Sequence, residues 1–471
     1  MLLTFIIVYL LITIGIGWWA STRVHSTKDF VVAGRQLPLM LAACASFATW
    51  FGSETLMGAS AEFVEGGLIS VVEDPFGAAL CLILVGAFYA RKLYRLNILT
   101  FCDFFKLRFS RAVEFWSAFL IVPSYFGWIA AQLVAMAIIL QTLTNIPFIY
   151  GIMICTVAVI IYTYIGGMWA VSITDFVQTI MIVIGLLALL WQINIQAGGV
   201  EKVLASTPPG FFQFTPKPDF TSMVQYFAAW ITIGLGSIPQ QDVFQRVMAA
   251  KDENTSVRAA WLAGIMYLTI GFIPLYIGLC AKNLYPELLS GDPQMLLPQM
   301  VLQHTSTLMQ ILFFGALMSA ILSTTSGAVL APATIIGENL IRPYIKRISD
   351  QRLLQIMRFA VVGVAVASAL MTGWKTNIYE LVGMSSAFSL VSLFVPLTAG
   401  LYWKKASNLG ALLSISTGMV VWIVFEWIPT DIPSLVWGLL ASILGMLVGS
   451  FWKPDNTHQS LYAILEKRGK A

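Results

Sequence analysis

Thr49-Trp50-Phe51-Gly52-Ser53-Glu54 and Gly234-Leu235-Gly236-Ser237-Ile238-Pro239-Gln240-Gln241-Asp242 interrupt two otherwise apolar segments near their middles. A helix in hydrocarbon satisfies its own backbone groups. A run of Gly, Ser, Pro and carboxylates at that depth is therefore tolerated only where it lines a polar cavity. Corresponding breaks in two halves of one chain point to the binding site of a secondary transporter. The ends of such half-helices offer unpaired N–H groups to anions and unpaired carbonyls to cations.

The surrounding chain fits a polytopic membrane protein. Charged residues make up 11% and apolar residues 58% of 471, against roughly 25% and 45–50% in soluble domains, so a charged aqueous coat is lacking. Thirteen apolar runs are long enough to cross about 30 Å of hydrocarbon. They cover 2–21, 38–64, 68–90, 112–141, 147–165, 170–194, 221–247, 257–281, 301–337, 354–373, 377–403, 408–426 and 433–453. The first lacks a basic leader and a small-residue cleavage site, and reads as a retained helix.

Orientation follows from the cations, because cytoplasmic loops are enriched in Lys and Arg. With the N-terminus outside and the C-terminus in the cytoplasm, only Lys202, Lys217, Lys282 and Lys375 of the 27 basic residues lie outside; Arg246 and the tail's Lys467, Arg468 and Lys470 lie inside. The net charge of +4 thus describes topology in a plasma membrane and requires no nucleic-acid partner. The five cysteines are scattered as packing residues, the three histidines show no metal-ligand spacing, and no phosphate loop supports ATP-driven pumping.

The second span starts inside and the seventh outside, so spans two to six and seven to eleven form an all-α 5+5 inverted repeat. The expected divisions are 1–37 (first helix and inner loop), 38–194 (first repeat), 195–220 (outer linking loop), 221–403 (second repeat) and 404–471 (two peripheral helices and a cytoplasmic tail). Glu54, Glu73, Asp74, Asp175 and Asp242 lie in or near hydrocarbon, where an acid at a helix centre costs roughly 2.5–3.5 kcal/mol. No Lys or Arg occupies the central part of any span, so hydroxyls, backbone N–H groups, water, cations or a proton are the expected partners. In the ninth span Ser319, Ser323 and Ser326 share one face. The bland alternative is that such hydroxyls bond their own i−4 carbonyls.

Tyr162-Thr163-Tyr164-Ile165-Gly166-Gly167-Met168-Trp169-Ala170-Val171, followed by Thr174-Asp175 and Gln178, resembles the signature of the sodium:solute symporter family, whose fold is the LeuT-type inverted repeat. Gln245-Arg246 with Ala249-Ala250-Lys251, and Ser323-Thr324, match it as well. The resemblance implies a sodium site of carbonyls at Ala48, Phe51 and Ala320 with the hydroxyls of Ser323 and Thr324. It implies a second sodium site, present in some members, at Asp175 and Ser326, although Gly327 stands where a serine is expected. Implied solute contacts are Trp50, Ser53, Thr55, Glu73 or Asp74, Trp128, Gln240 and Gln241.

Within the family the chain looks most like the high-affinity choline transporter branch, through Thr49-Trp50, Ala61-Glu62, Ile238-Pro239 with Gln241, and Phe244-Gln245-Arg246. It departs from that branch at Gln240, where a tryptophan is expected, and at Ala78, where a tyrosine is expected. The intramembrane acids favour an amine, zwitterion or amino-acid-like solute, ahead of a sugar and then a carboxylate such as pantothenate. Rival readings are a channel, which would need repeated filter residues, and a transporter-like sensor, which would need an output domain.

Overall fold

The computed structural model describes residues 2–345, 347–373 and 376–454. Lys346, Lys375 and the tail cations Lys467, Arg468 and Lys470 lie outside the described residues. The chain is helical, and among the described residues the β pairing is limited to one bridge between Leu37 and Ala250.

The first repeat contains α2 (Leu39–Trp50) and α3 (Ala59–Gly66), the two arms of the first broken helix, preceded by α1 (Leu2–Ser21). It continues with α4 (Leu68–Leu96), α5 (Arg111–Thr144), α6 (Phe148–Tyr164) and α7 (Gly166–Gln196). The second contains the broken pair α8 (Phe220–Gly236) and α9 (Gln241–Ala249), then α10 (Glu253–Leu284), α11 (Thr307–Tyr344), α12 (Asp350–Met371) and α13 (Ile378–Tyr402). Two further helices, α14 (Asn408–Trp427) and α15 (Ser434–Trp452), follow and pack on each other.

Among the described residues nine helices are long and apolar enough to span a membrane unaided. The other expected spans fall on α1, the two broken helices and α6, consistent with thirteen crossings.

Local chemistry sets the ends. Ser110, Asp219, Asp252, Ser349, Asn377 and Ser407 cap α5, α8, α10, α12, α13 and α14, each accepting a backbone N–H in the first turn. The ninth span was expected from 301, but Ser306 caps α11 and Thr305 is extended, so 301–304 belongs to a separate short helix, Leu296–His304. α6 and α7 meet at Gly167 (φ 56°, ψ −169°), where a Cβ would stand 2.5 Å from the Phe30 ring. Only glycine fits there.

The start of the first broken helix and the end of the second are tied: Leu37 N donates to Ala249 O at 3.0 Å and Lys251 N to Leu37 O at 3.0 Å. α11 lies at the centre, buried from Phe313 to Ile335, against α2, α7 and α9. α1 also reaches it, through a hydrogen bond between the Tyr9 and Ser319 hydroxyls.

Candidate functional site

Both breaks release backbone groups, and side chains from other helices meet them. α2 stops at Trp50, and Phe51 turns out of the helix at φ −87°, ψ 78°. The Ala48 carbonyl accepts the Thr324 hydroxyl at 3.3 Å, and the Trp50 carbonyl accepts the Tyr267 hydroxyl at 2.8 Å. Beyond the break, Glu54–Gly58 is wound as a π-helical turn, a local widening frequent at functional sites. In the second break Gln240 is extended, and Asp242 lies in the first turn of α9, where the helix dipole favours a negative charge.

A cavity of ≈ 330 Å³, part of it open to its surroundings, lies between the breaks. Trp50 and Glu54 wall it from the first break, Ser237 and Gln240 from the second. Asp74 and Ala78 of α4, Trp128 of α5, Tyr267 of α10 and Ser385 and Ser386 of α13 add to it. The Trp50 and Trp128 rings stand perpendicular, with centroids 6.4 Å apart.

Glu54, 3% exposed, accepts Trp128 Nε1 at 2.9 Å and Gln132 Nε2 at 2.7 Å. Asp74, 1% exposed, accepts the Thr55 hydroxyl at Oδ2 (2.7 Å), while its Oδ1 is buried without a hydrogen-bond partner. A buried carboxylate oxygen left in this way is unused acceptor capacity, on a residue that lines the cavity.

Trp50, Asp74, Trp128 and Gln240 of the expected solute contacts therefore come together on one cavity. Between the two alternatives in the fourth span, Asp74 lines it, whereas Glu73 lies against α13 beside Gly383. Thr55 stands behind Asp74, bonded to it and to the Tyr267 hydroxyl at 2.6 Å. Ser53 donates its backbone N–H to Gln132 Oε1 at 3.0 Å. Gln241 points away, its Oε1 accepting Phe101 N at 2.7 Å.

The sequence marks Glu54 as an intramembrane acid, but nothing in its spacing ties it to Trp128 and Gln132, which hold it. Tyr267 and the serines of α13 were missed. The run Ser385-Ser386 with Ser389 and Ser392 carried a hydroxyl signal like that of the ninth span; Tyr267, one of several aromatics in an apolar helix, carried none.

The hydroxyls of α11 divide between the two readings. Ser319 and Thr325 bond their own i−4 carbonyls, Gly315 O and Ile321 O, and Ser326 bonds Ser323 O at 3.0 Å. Ser323 and Thr324 reach across instead, Ser323 to Asp175 Oδ1 at 2.5 Å and Thr324 to Ala48 O. Phe51 and Ala320, whose carbonyls are the remaining expected ligands, are fully buried, at the end of α2 and in α11 respectively. Asp175 Oδ2 and both amide atoms of Gln178, one turn further along α7, are buried without partners.

Arg246, expected among the inner cations, is 4% exposed, yet among the described residues it forms no ion pair with an acid. Its Nη2 donates to the Thr49 hydroxyl at 2.6 Å and its Nη1 to the Asp242 carbonyl at 3.2 Å. Nη2 also stands 2.5 Å from the place of a Cβ on Gly327, so the guanidinium uses the space a serine there would need. A long side chain near the end of a span reaches several ångströms along it, which a count of positions ignores. Arg246 lines a second cavity of ≈ 320 Å³, which shares Trp50 with the first.

Two half-helices facing each other across a buried polar cavity, with carbonyls and hydroxyls beside it, define a cation-coupled secondary transporter of the inverted-repeat class. Residues 30–418 match the model of the sodium:solute symporter family, and the chain belongs to that family.

The chain is 24% identical over 446 residues to a high-affinity choline transporter of Caenorhabditis elegans, covering 88% of this chain and 75% of the relative. It is 26% identical over 496 residues to an osmoregulated proline transporter of Bacillus subtilis, covering 98% and 97%. Its fold matches the outward-open, substrate-bound structure of a Na+-coupled sialic acid symporter with a TM-score of 0.84, at 16% identity over 96% of this chain and 98% of that one.

Proposed function

We propose that this symporter imports a small organic solute carrying a protonated amine, as an amine, zwitterion or amino-acid-like compound. The observation that carries this reading is Asp74 Oδ1, buried and unpartnered on a cavity walled by the Trp50 and Trp128 indoles. An ammonium group satisfies the carboxylate, and the indole faces add cation–π attraction. Gln240 in that wall supplies an amide able to bond a polar part of the solute.

Sodium is the co-substrate, held by the carbonyls of Ala48, Phe51 and Ala320 and the hydroxyls of Ser323 and Thr324. Support comes from Thr324 already bridging to Ala48 O, so that an ion there ties α2 to α11. We read one sodium per cycle. At the second place, with Asp175 and Ser326, the Ser326 hydroxyl is turned to Ser323 O and Arg246 stands at Gly327. One sodium entering through about 100 mV contributes about 2.3 kcal/mol, and a tenfold gradient about 1.4 kcal/mol more, enough to concentrate a neutral solute roughly 500-fold.

The repeats are taken as 38–194 and 221–403, alternating access being a rocking of one set against the other. The excess of cations at one end of the helices supports a plasma-membrane protein with its N-terminus outside and its C-terminus in the cytoplasm. The test is uptake into sealed liposomes with sodium or potassium outside, screening amines, amino acids and sugars. Accumulation of an amine-bearing solute under the sodium gradient is expected, and is expected to vanish in Asp74→Asn. Accumulation of sugars alone, or without sodium, overturns the reading.

A further inference from the structure

The cavity lined by Arg246 holds a buried donor that no group among the described residues accepts. Ser46 and Trp50 of α2 and Arg246 of α9, the inner arms of the two broken helices, wall it on one side. Val85 of α4 and Ser256 and Ala260 of α10 wall it on the other. It shares Trp50 with the cavity that Asp74 lines. Beyond Arg246 toward the inner end of α9, Tyr94 donates to the Ala250 carbonyl at 3.1 Å, and Leu37 pairs with Ala249 and Lys251. A solute moving from the breaks toward those inner ties therefore meets this space next.

The Arg246 guanidinium is only partly occupied. Its Nη1 and Nη2 go to the Asp242 carbonyl and the Thr49 hydroxyl, whereas its Nε is buried without a hydrogen-bond partner. No carboxylate stands within ion-pair distance among the described residues. Asp242 gives its two carboxylate oxygens to Trp50 and Tyr125, and Asp175 accepts Ser323. Ser46 and Ser256 donate to backbone carbonyls, Ala42 O at 2.9 Å and Val247 O at 2.8 Å. Arg246 Nε is thus the free donor on this wall. A buried cation is costly until a hydrogen-bonded counter-charge meets it, and the planar guanidinium matches a carboxylate.

We propose that the second cavity is an inward subsite in which Arg246 receives the carboxylate of a zwitterionic solute as that solute passes Trp50. The proposal rests on the ammonium reading of Asp74 and narrows it from an amine to a zwitterion. Glu54 and Asp74 line the first cavity and no Lys or Arg does, so a carboxylate gains no cationic partner there. On the other side of Trp50 it gains one. The rest of the second wall is mainly Val, Leu and Ala, which suits a small apolar body and offers nothing to a second charge.

The test is sodium-driven uptake into liposomes of amino acids, each paired with the amine left by its decarboxylation. It reads the ratio of kcat/KM for the two members of a pair, which does not depend on how much of the protein is active. The native chain should favour the zwitterion of its preferred pair about 10- to 150-fold, the worth of a hydrogen bond to a charged group. Arg246→Gln should bring that ratio close to one. Ala260→Leu fills the cavity from α10 and leaves Arg246 its bonds to Thr49 and Asp242, so it should lower the ratio even where Arg246→Gln fails to fold. Asp74→Asn, in contrast, should abolish uptake of both members. If Asp74→Asn spares both members while Arg246→Gln removes the preference, the ammonium reading fails and the carboxylate subsite stands. A native ratio near one, a ratio that survives both cavity substitutions, or uptake of the amine that requires chloride in place of the carboxylate overturns the proposal.

Discussion

Trp50 of the first break and Asp242 of the second are joined directly, the indole Nε1 donating to Asp242 Oδ2 at 2.7 Å. The other carboxylate oxygen accepts the Tyr125 hydroxyl at 2.5 Å, and the same hydroxyl accepts the Asp242 backbone N–H at 2.9 Å. Tyr125 in turn stacks on Trp128 at 6.1 Å. The indole of Trp50 borders both the central cavity and the one lined by Arg246. Asp242 therefore sets the position of the wall between them.

Removing that carboxylate tests the linkage. Asp242→Ala leaves the Trp50 N–H and the Tyr125 hydroxyl buried without an acceptor, and hydrogen bonds to a charged group are worth about 1.5–3 kcal/mol. The expected outcome is an apparent KM for solute raised about 10- to 150-fold, with Asp242→Asn affected less because it still accepts. Initial-rate uptake at saturating sodium measures it. An unchanged KM in Asp242→Ala would show that Trp50 holds its place by packing alone.

Sodium dependence is the second test. Ser323→Ala removes the donor to Asp175, and Thr324→Ala removes the hydroxyl that meets Ala48 O. Each loses one oxygen from the proposed sodium site, so the sodium concentration for half-maximal uptake should rise about tenfold, the effect of roughly 1.4 kcal/mol. Asp175→Asn should act through Ser323 and leave the coupling ratio at one sodium per solute. A ratio falling from two to one in Asp175→Asn, read from the reversal potential of flux, would establish a second ion.

The broken helices were readable because a Gly alone packs helices closely, whereas two corresponding runs of Gly, Ser and Pro flanked by acids are tolerated at that depth only where they line a polar cavity. Trp50, Trp128, Gln240 and the alternatives Glu73 and Asp74 came from the family resemblance, and only the packing of α4 puts Asp74 of that pair on the cavity. Tyr125 and Tyr267 were not legible, because one aromatic in an apolar helix has the same pattern whether it faces lipid or a carboxylate. Arg246 shows a related limit: sequence places its Cα near the end of a span, and says nothing of a guanidinium folding back to Thr49. The serines of α11 show the same limit. Their spacing marks a face, but only packing decides that Ser323 reaches α7 while Thr325 bonds its own helix.

Gly52 gives a packing test with an internal control. A Cβ there would stand 2.5 Å from Glu54 Oε2, 2.7 Å from Thr324 Oγ1 and 2.8 Å from Gln132 Oε1, all on buried side chains. Gly52→Ala must push these groups apart, at a cost of about 1–3 kcal/mol for overpacking. The expected result is a lower thermal midpoint together with weaker sodium and solute binding, since the displaced oxygens belong to both neighbourhoods. At Gly363 a Cβ meets nothing within 4 Å, so Gly363→Ala in α12 should leave uptake unchanged and gain up to about 1 kcal/mol of helix stability. Equal behaviour of the two variants would remove the case for close approach at Gly52.

The solute itself can be approached through Gln240. Its amide makes one long contact, Nε2 to Ser389 Oγ at 3.5 Å, so little holds the side chain in place. Gln240→Trp would set a third indole on a cavity that already has Trp50, Trp128 and Asp74. For a quaternary ammonium, a desolvated indole face is worth about 2 kcal/mol, or about 30-fold in affinity. Competition by choline against the native solute should therefore strengthen in Gln240→Trp and disappear when Asp74→Asn is added. The native solute should bind less well in the same variant, because the amide proposed to bond its polar part is gone. If Gln240→Trp improves the native solute as much as choline, that solute is itself a simple ammonium, and Gln240 contributes nothing to selecting a zwitterion.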